Sequence, residues 1–247
     1  MNNNFQETLS FPFRDADSSR QFLIACAVTL AGFIIPILPF ILLMGYTVKI
    51  MRQVIDEKKA PSMPAWQGSD WSEMFMDGLR LYGAQLVLML PLMIFMGCGI
   101  ISIISGSAGF AALAEEGARS LAPISGILFF IGITSIIVFS ILALPYAVII
   151  PAAQAHMVSK RSFAATFEFK EWWQVFRKAL GQFVATYVTI MIASFIFGLV
   201  IQIAMITLVL MCIVPFLMIP YSAYLTLVTN TLYAQAYAAG QEALQAA

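Results

Sequence analysis

The sequence predicts an all-α fold: a polytopic membrane helix bundle in which interfacial amphipathic helices precede helical hairpins, with about five to six membrane segments. Three observations lead there. First, the 247 residues are 61% hydrophobic and only 11% charged, with a mean hydropathy of +0.88. A soluble domain carries roughly 25% charged residues, and so few charges cannot cover a surface in water. Second, apolar runs long enough to cross a bilayer recur along the chain. Third, a half-polar motif repeats: Asp70-Trp-Ser-Glu-Met-Phe-Met-Asp-Gly-Leu79 aligns without a gap on Glu171-Trp-Trp-Gln-Val-Phe-Arg-Lys-Ala-Leu180. Phe11-Pro-Phe-Arg-Asp15 makes a weaker third copy, matching Phe167-Glu-Phe-Lys-Glu171. Each copy runs into an apolar stretch, so residues 1–247 read as one membrane domain built by repetition.

Residues 1–21 form an interfacial N-terminal segment interrupted by Pro12, with Asp15 and Asp17 placed to cap a helix that starts just before Phe22. Residues 22–51 are the first membrane segment. A straight helix of that length would reach about 45 Å against a hydrocarbon core of about 30 Å. Pro36 and Pro39 fall in its middle and disfavour continued helix. The segment is therefore either one long kinked span or a short re-entrant hairpin turning near residues 35–39. Residues 52–69 make a charged, proline-punctuated loop ending in Met63-Pro-Ala-Trp66, whose indole suits the headgroup layer.

Residues 70–157 read as a second surface helix and hairpin. Trp71, Met74, Phe75, Leu79 and Tyr82 share one helical face, and Ser72, Glu73, Asp77 and Arg80 take the other. Asp70 with Glu73 resembles a capping box. A span follows from Leu79 to about Ile104, rich at its far end in the small residues Gly97, Gly99, Ser102, Ser105 and Gly106. Small residues at three- and four-residue spacing let helices approach closely, here within the protein itself. After the 106–122 loop, Pro123 opens a helix running to about Met157, long enough that it should tilt, kink at Pro145 and Pro151, or project into water. Residues 158–247 repeat the plan: a surface helix bearing Trp172, Trp173 and Phe176, then two spans turning between Leu208 and Pro215, then an alanine-rich tail. Trp66, Trp71, Phe75, Trp172, Trp173 and Phe176 are the expected membrane-interface anchors, at headgroup depth.

Twelve of the thirteen Lys and Arg residues flank these surface segments, and only Arg119 lies elsewhere. The positive-inside rule then places the basic loops in the cytoplasm of a cell with an inner membrane, with both termini on the same side. That arrangement favours the hairpin reading of residues 22–51.

These residues resemble a family of prokaryotic integral membrane proteins catalogued as domain of unknown function 4013. The resemblance rests on Phe11-Pro-Phe-Arg-Asp15, Gly45-Tyr46, Met63-Pro-Ala-Trp66, Asp77-Gly-Leu79 and Leu90-Pro91, and covers the first 100 residues best. Met63 stands where the family more often has Leu. The resemblance implies the membrane fold and no activity.

Catalytic chemistry is sparse. No metalloprotease, nucleophile-elbow, phosphate-loop or dinucleotide motif is present. His156 is the single histidine, at a helix end, where reaching to the interface is its commoner role and haem or magnesium ligation or pH gating the rarer. Glu115 and Glu116 read as solvated loop charges. Cys26, Cys98 and Cys212 read as small packing residues. No cofactor or metal is expected. The apolar runs contain no ionisable residue at depth, only amides and hydroxyls such as Gln85, Thr134, Thr186 and Gln202, which disfavours ion-coupled transport. Balanced charge, thirteen basic against thirteen acidic residues, excludes a nucleic-acid partner. The sequence thus leads to a non-enzymatic accessory or scaffold subunit of a membrane complex, with lipids and other membrane subunits as partners. The alternative is a transporter or lipid-handling protein for a neutral or lipid-like substrate.

Overall fold

Asp15 starts the first long helix as its sequence dictates: the carboxylate accepts a hydrogen bond from the backbone N–H of Ser18 at 2.6 Å. In the computed structural model, which describes residues 2–112, 122–206 and 212–246, all regular structure is helical. The helices are α1 (Asn2–Ser10), α2 (Ala16–Ile34), α3 (Leu38–Ile55), α4 (Trp71–Ala112), α5 (Ala122–Lys160), α6 (Phe169–Lys178), α7 (Leu180–Ile206) and α8 (Val214–Gln245). Among the described residues, α3, α4, α5 and α7 are long and apolar enough to cross a membrane. The chain is an all-α membrane helix bundle. It divides into two compact units, residues 1–84 with 148–247, and residues 85–147.

The first apolar segment is two helices. Ile35, held extended by the proline that follows, ends α2. Ile37 adopts φ 79° and ψ −57°, and the Leu38 N–H donates to the Pro36 carbonyl at 3.1 Å. This is the rare positive-φ γ-turn, unusual for a β-branched residue, and it reverses the chain within three residues. Phe22 and Ala25 of α2 consequently share a core with Leu43, Tyr46 and Ile50 of α3. Ala223, Leu227, Val228 and Leu232 of α8 complete that core, with Phe11, Met63 and Met74.

The two motifs of the first segment and its loop meet in the first unit. Tyr46 stacks on Trp66 with ring centroids 4.2 Å apart and donates its hydroxyl hydrogen to the Pro64 carbonyl at 2.7 Å. Trp66 is tied back to α2 through its indole N–H, which donates to the Gln21 carbonyl. Next to Tyr46, Gly45 lets α3 and α4 touch backbone to backbone. A Cβ on Gly45 would lie 1.7 Å from the Met74 carbonyl oxygen, and one on Gly78 would lie 1.8 Å from that of Ile41.

The start of α4 differs from its expected form. It is one helix with the apolar stretch, and it runs to Ala112 rather than about Ile104. Its buried face holds Met74, Asp77, Gly78, Leu81 and Ala84, whereas Trp71 and Leu79 are exposed. The face read as apolar divides: Trp71 and Leu79 turn outward, as a surface helix would have them, and Met74 is buried with the inward face, which packs by glycine contact and ion pairing. The aligned segment behaves in the opposite way. The helix α6 ends at Lys178 and buries its apolar face (Trp172, Val175, Phe176) against α8. Gly240 of α8 sits 2.6 Å, measured from its would-be Cβ, from the Val175 carbonyl oxygen.

In the second unit α4 and α5 meet along small residues. Cβ atoms on Gly99 and Gly106 would lie 2.9 Å from the Ser135 Cβ and 2.6 Å from the Phe129 nitrogen, respectively. Gly97 borders open space and Ser105 is exposed, so these two expected packing residues lie off the contact, with Ser102 half-buried at its side. Pro91 of α4 and Pro145 and Pro151 of α5 lie within continuous helix. Glu115, Glu116, Arg119 and most of the turn expected between Leu208 and Pro215 fall outside the described residues.

Removing the Asp15 cap by Asp15→Ala should lower the unfolding temperature. The Ser18 N–H holds the Asp15 carboxyl below its usual range. A depressed carboxylate pKa contributes stability above the unfolded value and loses it as pH falls through the folded one. The difference between Asp15→Ala and the parent should therefore be present at neutral pH and vanish in strong acid, as followed by thermal unfolding in detergent.

Candidate functional site around His156

Two clusters of charged residues in the first unit each centre on a buried group. In the first, the Arg52 guanidinium, at the end of α3, grips the buried Asp77 carboxylate of α4 in bidentate fashion, with Nη2 donating to Oδ1 at 2.9 Å and Nη1 to Oδ2. Arg80 adds a bond to Asp77 at 3.2 Å, Glu73 lies 3.6 Å from Arg52, and Lys49 pairs with Asp70. Asp70, at the start of α4, thus makes an ion pair across to α3. The Asp77 side chain is 5% exposed, so this cluster is a fastener between helices rather than an open site. Replacing Arg52 by Met should cost about 2 kcal/mol, less than the 3–5 kcal/mol typical of a fully orphaned buried charge because Arg80 still serves Asp77. The double variant with Asp77→Leu should recover part of that loss in a thermal-unfolding cycle.

The second cluster has chemical potential. His156, in the last turns of α5, is 3% exposed, so it does not reach to the interface as expected of a helix-end histidine. The reason is that both ring nitrogens have partners in the protein. Nδ1 lies 2.6 Å from the hydroxyl of Tyr237, a buried residue of α8. Nε2 lies 3.0 Å from Glu168 Oε2 and 3.7 Å from Glu171 Oε2. Both glutamates belong to the start of α6, and both face solvent on their other side, with side chains 44% and 55% exposed. Lys160 Nζ lies 3.0 Å from Glu171 Oε2. That ammonium, with a smaller contribution from His156, holds the Glu171 carboxyl below its usual range. Local structure sets up the arrangement. Glu168 occupies the N-cap position of α6, and its backbone carbonyl accepts from the Glu171 and Trp172 N–H groups. Its side chain makes no capping bond and turns to the histidine instead. Two carboxylates and an imidazole converging in this way can share a proton or hold a cation.

A family model described as Protein of unknown function (DUF4013) matches residues 28–210. The chain belongs to this family. No curated protein and no solved structure matches. The DUF4013 match begins after Phe11-Pro-Phe-Arg-Asp15 and continues well past residue 100, so it is shifted from the first 100 residues, where the resemblance was expected to be strongest. It takes in His156, Glu168 and Glu171 and stops short of Tyr237.

Of the expected interface residues in this DUF4013 chain, Trp71 and Trp173 are exposed, Phe75 and Trp66 are half-buried, and Trp172 and Phe176 are core residues packed beneath α6. Sequence reasoning missed the roles of Glu168 and Tyr237 and treated Glu171 only as part of a polar face. One signal was present: Glu168 and Glu171 lie three apart at a helix start, a short way after the only histidine.

Proposed function

We propose that this chain is a non-enzymatic integral membrane protein of a bacterial inner membrane that works by contact, as an accessory or scaffold subunit of a membrane assembly. The observation that carries this reading is the distribution of charge. Within the first unit, ion pairs knit the ends of helices together: Lys49–Asp70, Arg52–Asp77, Arg161–Asp56, Lys58–Glu242 and Lys160–Glu171. The helix α7 has no charged residue, and α4 and α5 have none between Arg80 and Lys160 within their described lengths. Ion-coupled transport keeps ionisable groups at membrane depth, and this pattern offers it none. Exposed apolar faces on α4, α5 and α7 suit lipid and neighbouring subunits.

In this reading the paired ends and the basic loops face the cytoplasm, with both termini there. The plan of a surface segment followed by a hairpin is used three times, by α1 with α2–α3, by the start of α4 with α4–α5, and by α6 with α7–α8. The first hairpin is re-entrant. The apolar part of α2 from Phe22 covers about 20 Å, and that of α3 before Lys49 about 16 Å, both short of a core of about 30 Å. Its tip is nonetheless apolar and exposed at Ile34, Ile35 and Ile37, and its prolines remove backbone donors that lipid could not satisfy. Purification from native membranes in mild detergent should yield a stoichiometric partner. A lone monomer with no associated subunit would contradict the reading.

One cavity favours lipid handling as a second reading. It is an open cleft of about 510 Å³ in the first unit, between Glu7, Lys58, Lys59, Gln182, Gln235 and Glu242, and both signs of charge line it. Such a lining suits a zwitterionic headgroup, and a phospholipid retained through delipidating washes and lost in Gln235→Leu would favour it over the scaffold.

A further inference from the structure

We propose that His156, Glu168 and Glu171 bind a divalent transition-metal ion of the zinc class, which clamps the end of α5 to the start of α6. This site is independent of the scaffold reading. The ligand atoms all lie within 4.8 Å of one another. The separations of 3.0 Å and 3.7 Å from Nε2 to the two carboxylate oxygens bracket the roughly 3.3 Å that tetrahedral bonds of 2.0–2.1 Å impose. The imidazole is already oriented. Its Nδ1 is held by the buried Tyr237 hydroxyl, which accepts a hydrogen bond from Gln241 Nε2 at 3.4 Å, the outer-shell support that metal-ligating histidines use. Metal binding uses the tautomer whose proton sits on Nδ1 and is donated to Tyr237, so that Nε2 exchanges its bond to Glu168 for the ion.

Charge and access agree with this. Two carboxylates face one ammonium, Lys160, so the acidic groups outnumber the lysine beside them. The exposed sides of Glu168 and Glu171 admit the ion and leave room for a water in the fourth position. One nitrogen with two oxygens selects first-row transition ions over magnesium and calcium, which prefer all-oxygen shells. Lys160 is the built-in competitor: its half-exposed side chain must swing off Glu171 when the ion binds.

The test is titration of Zn²⁺, and of Co²⁺ as a spectroscopic probe, into the full-length protein purified in detergent and stripped by chelator. One ion per chain is expected, with visible Co²⁺ absorption of the four-coordinate type. Glu168→Gln and Glu171→Gln, exposed changes that leave the fold intact, should each weaken binding about 100-fold, and Tyr237→Phe about 10-fold. Lys160→Met should tighten it. Zinc binding that is substoichiometric, that survives Glu168→Gln with Glu171→Gln, or that weakens in Lys160→Met would overturn the site and leave a protein-only ion pair.

Discussion

Alanine at Gly45 or Gly78 should cost about 3 kcal/mol, the upper part of the range for overpacking. Each new Cβ would fall within 2 Å of a backbone carbonyl oxygen of the facing helix, at Met74 or Ile41. A flexible side chain could move aside, but a helical carbonyl cannot, so α3 and α4 must separate by more than an ångström. That separation also pulls Arg52 from Asp77, whose bidentate geometry spans the same crossing. The packing loss and the ion-pair loss are therefore coupled, and combining Gly78→Ala with Arg52→Met should cost less than the two separately. Thermal unfolding in detergent is the measurement. Gly97→Ala is the control, because nothing lies within 4 Å of its added carbon, and it should leave the midpoint unchanged or slightly raised. An unchanged midpoint in Gly45→Ala would mean that the two helices do not cross this closely.

The second large effect belongs to one of two adjacent tryptophans. Trp172→Ala should cost 3–5 kcal/mol, as for other fully buried aromatic side chains, whereas Trp173→Ala should cost less than about 1 kcal/mol. Trp172 is 3% exposed, donates its indole N–H to the Thr166 carbonyl at 3.2 Å and lies beside Phe169. Trp173 is 42% exposed. Because Trp172 seats α6 on the bundle, its loss should release α6 first, visible as faster backbone hydrogen exchange over Phe169–Lys178 ahead of global unfolding. Equal effects from the two substitutions would show that α6 floats free of α8.

The membrane fold was legible because lipid imposes a simple demand: long apolar helices with few charges. The prolines at 36 and 39 announced a break, and the pre-proline restriction on Ile35 supplied its physical cause. What composition could not supply was direction. Only the γ-turn at Ile37 decides that α2 and α3 fold back on each other. The faces of the two aligned segments show the same limit. Both carry an apolar stripe, but α4 turns Trp71 and Leu79 outward and α6 turns Trp172 and Phe176 inward, because lipid and protein interior are equally good solvents for leucine and tryptophan. The candidate site was the least legible. A histidine meets a tyrosine 81 positions away and a glutamate 12 positions away, and no periodicity links them. Only the folding of α8 against the α5 and α6 ends reveals that the histidine is buried and doubly bonded.

In the proposed arrangement the charged ends of the first unit lie together on the inner side of the membrane. Single cysteines at Ser62 and Lys178, introduced where Cys26, Cys98 and Cys212 have been replaced by alanine, measure this directly with a membrane-impermeant thiol reagent. Both positions should stay unlabelled in intact cells and react once the membrane is opened. Labelling of either one from outside, with the other protected, would contradict it.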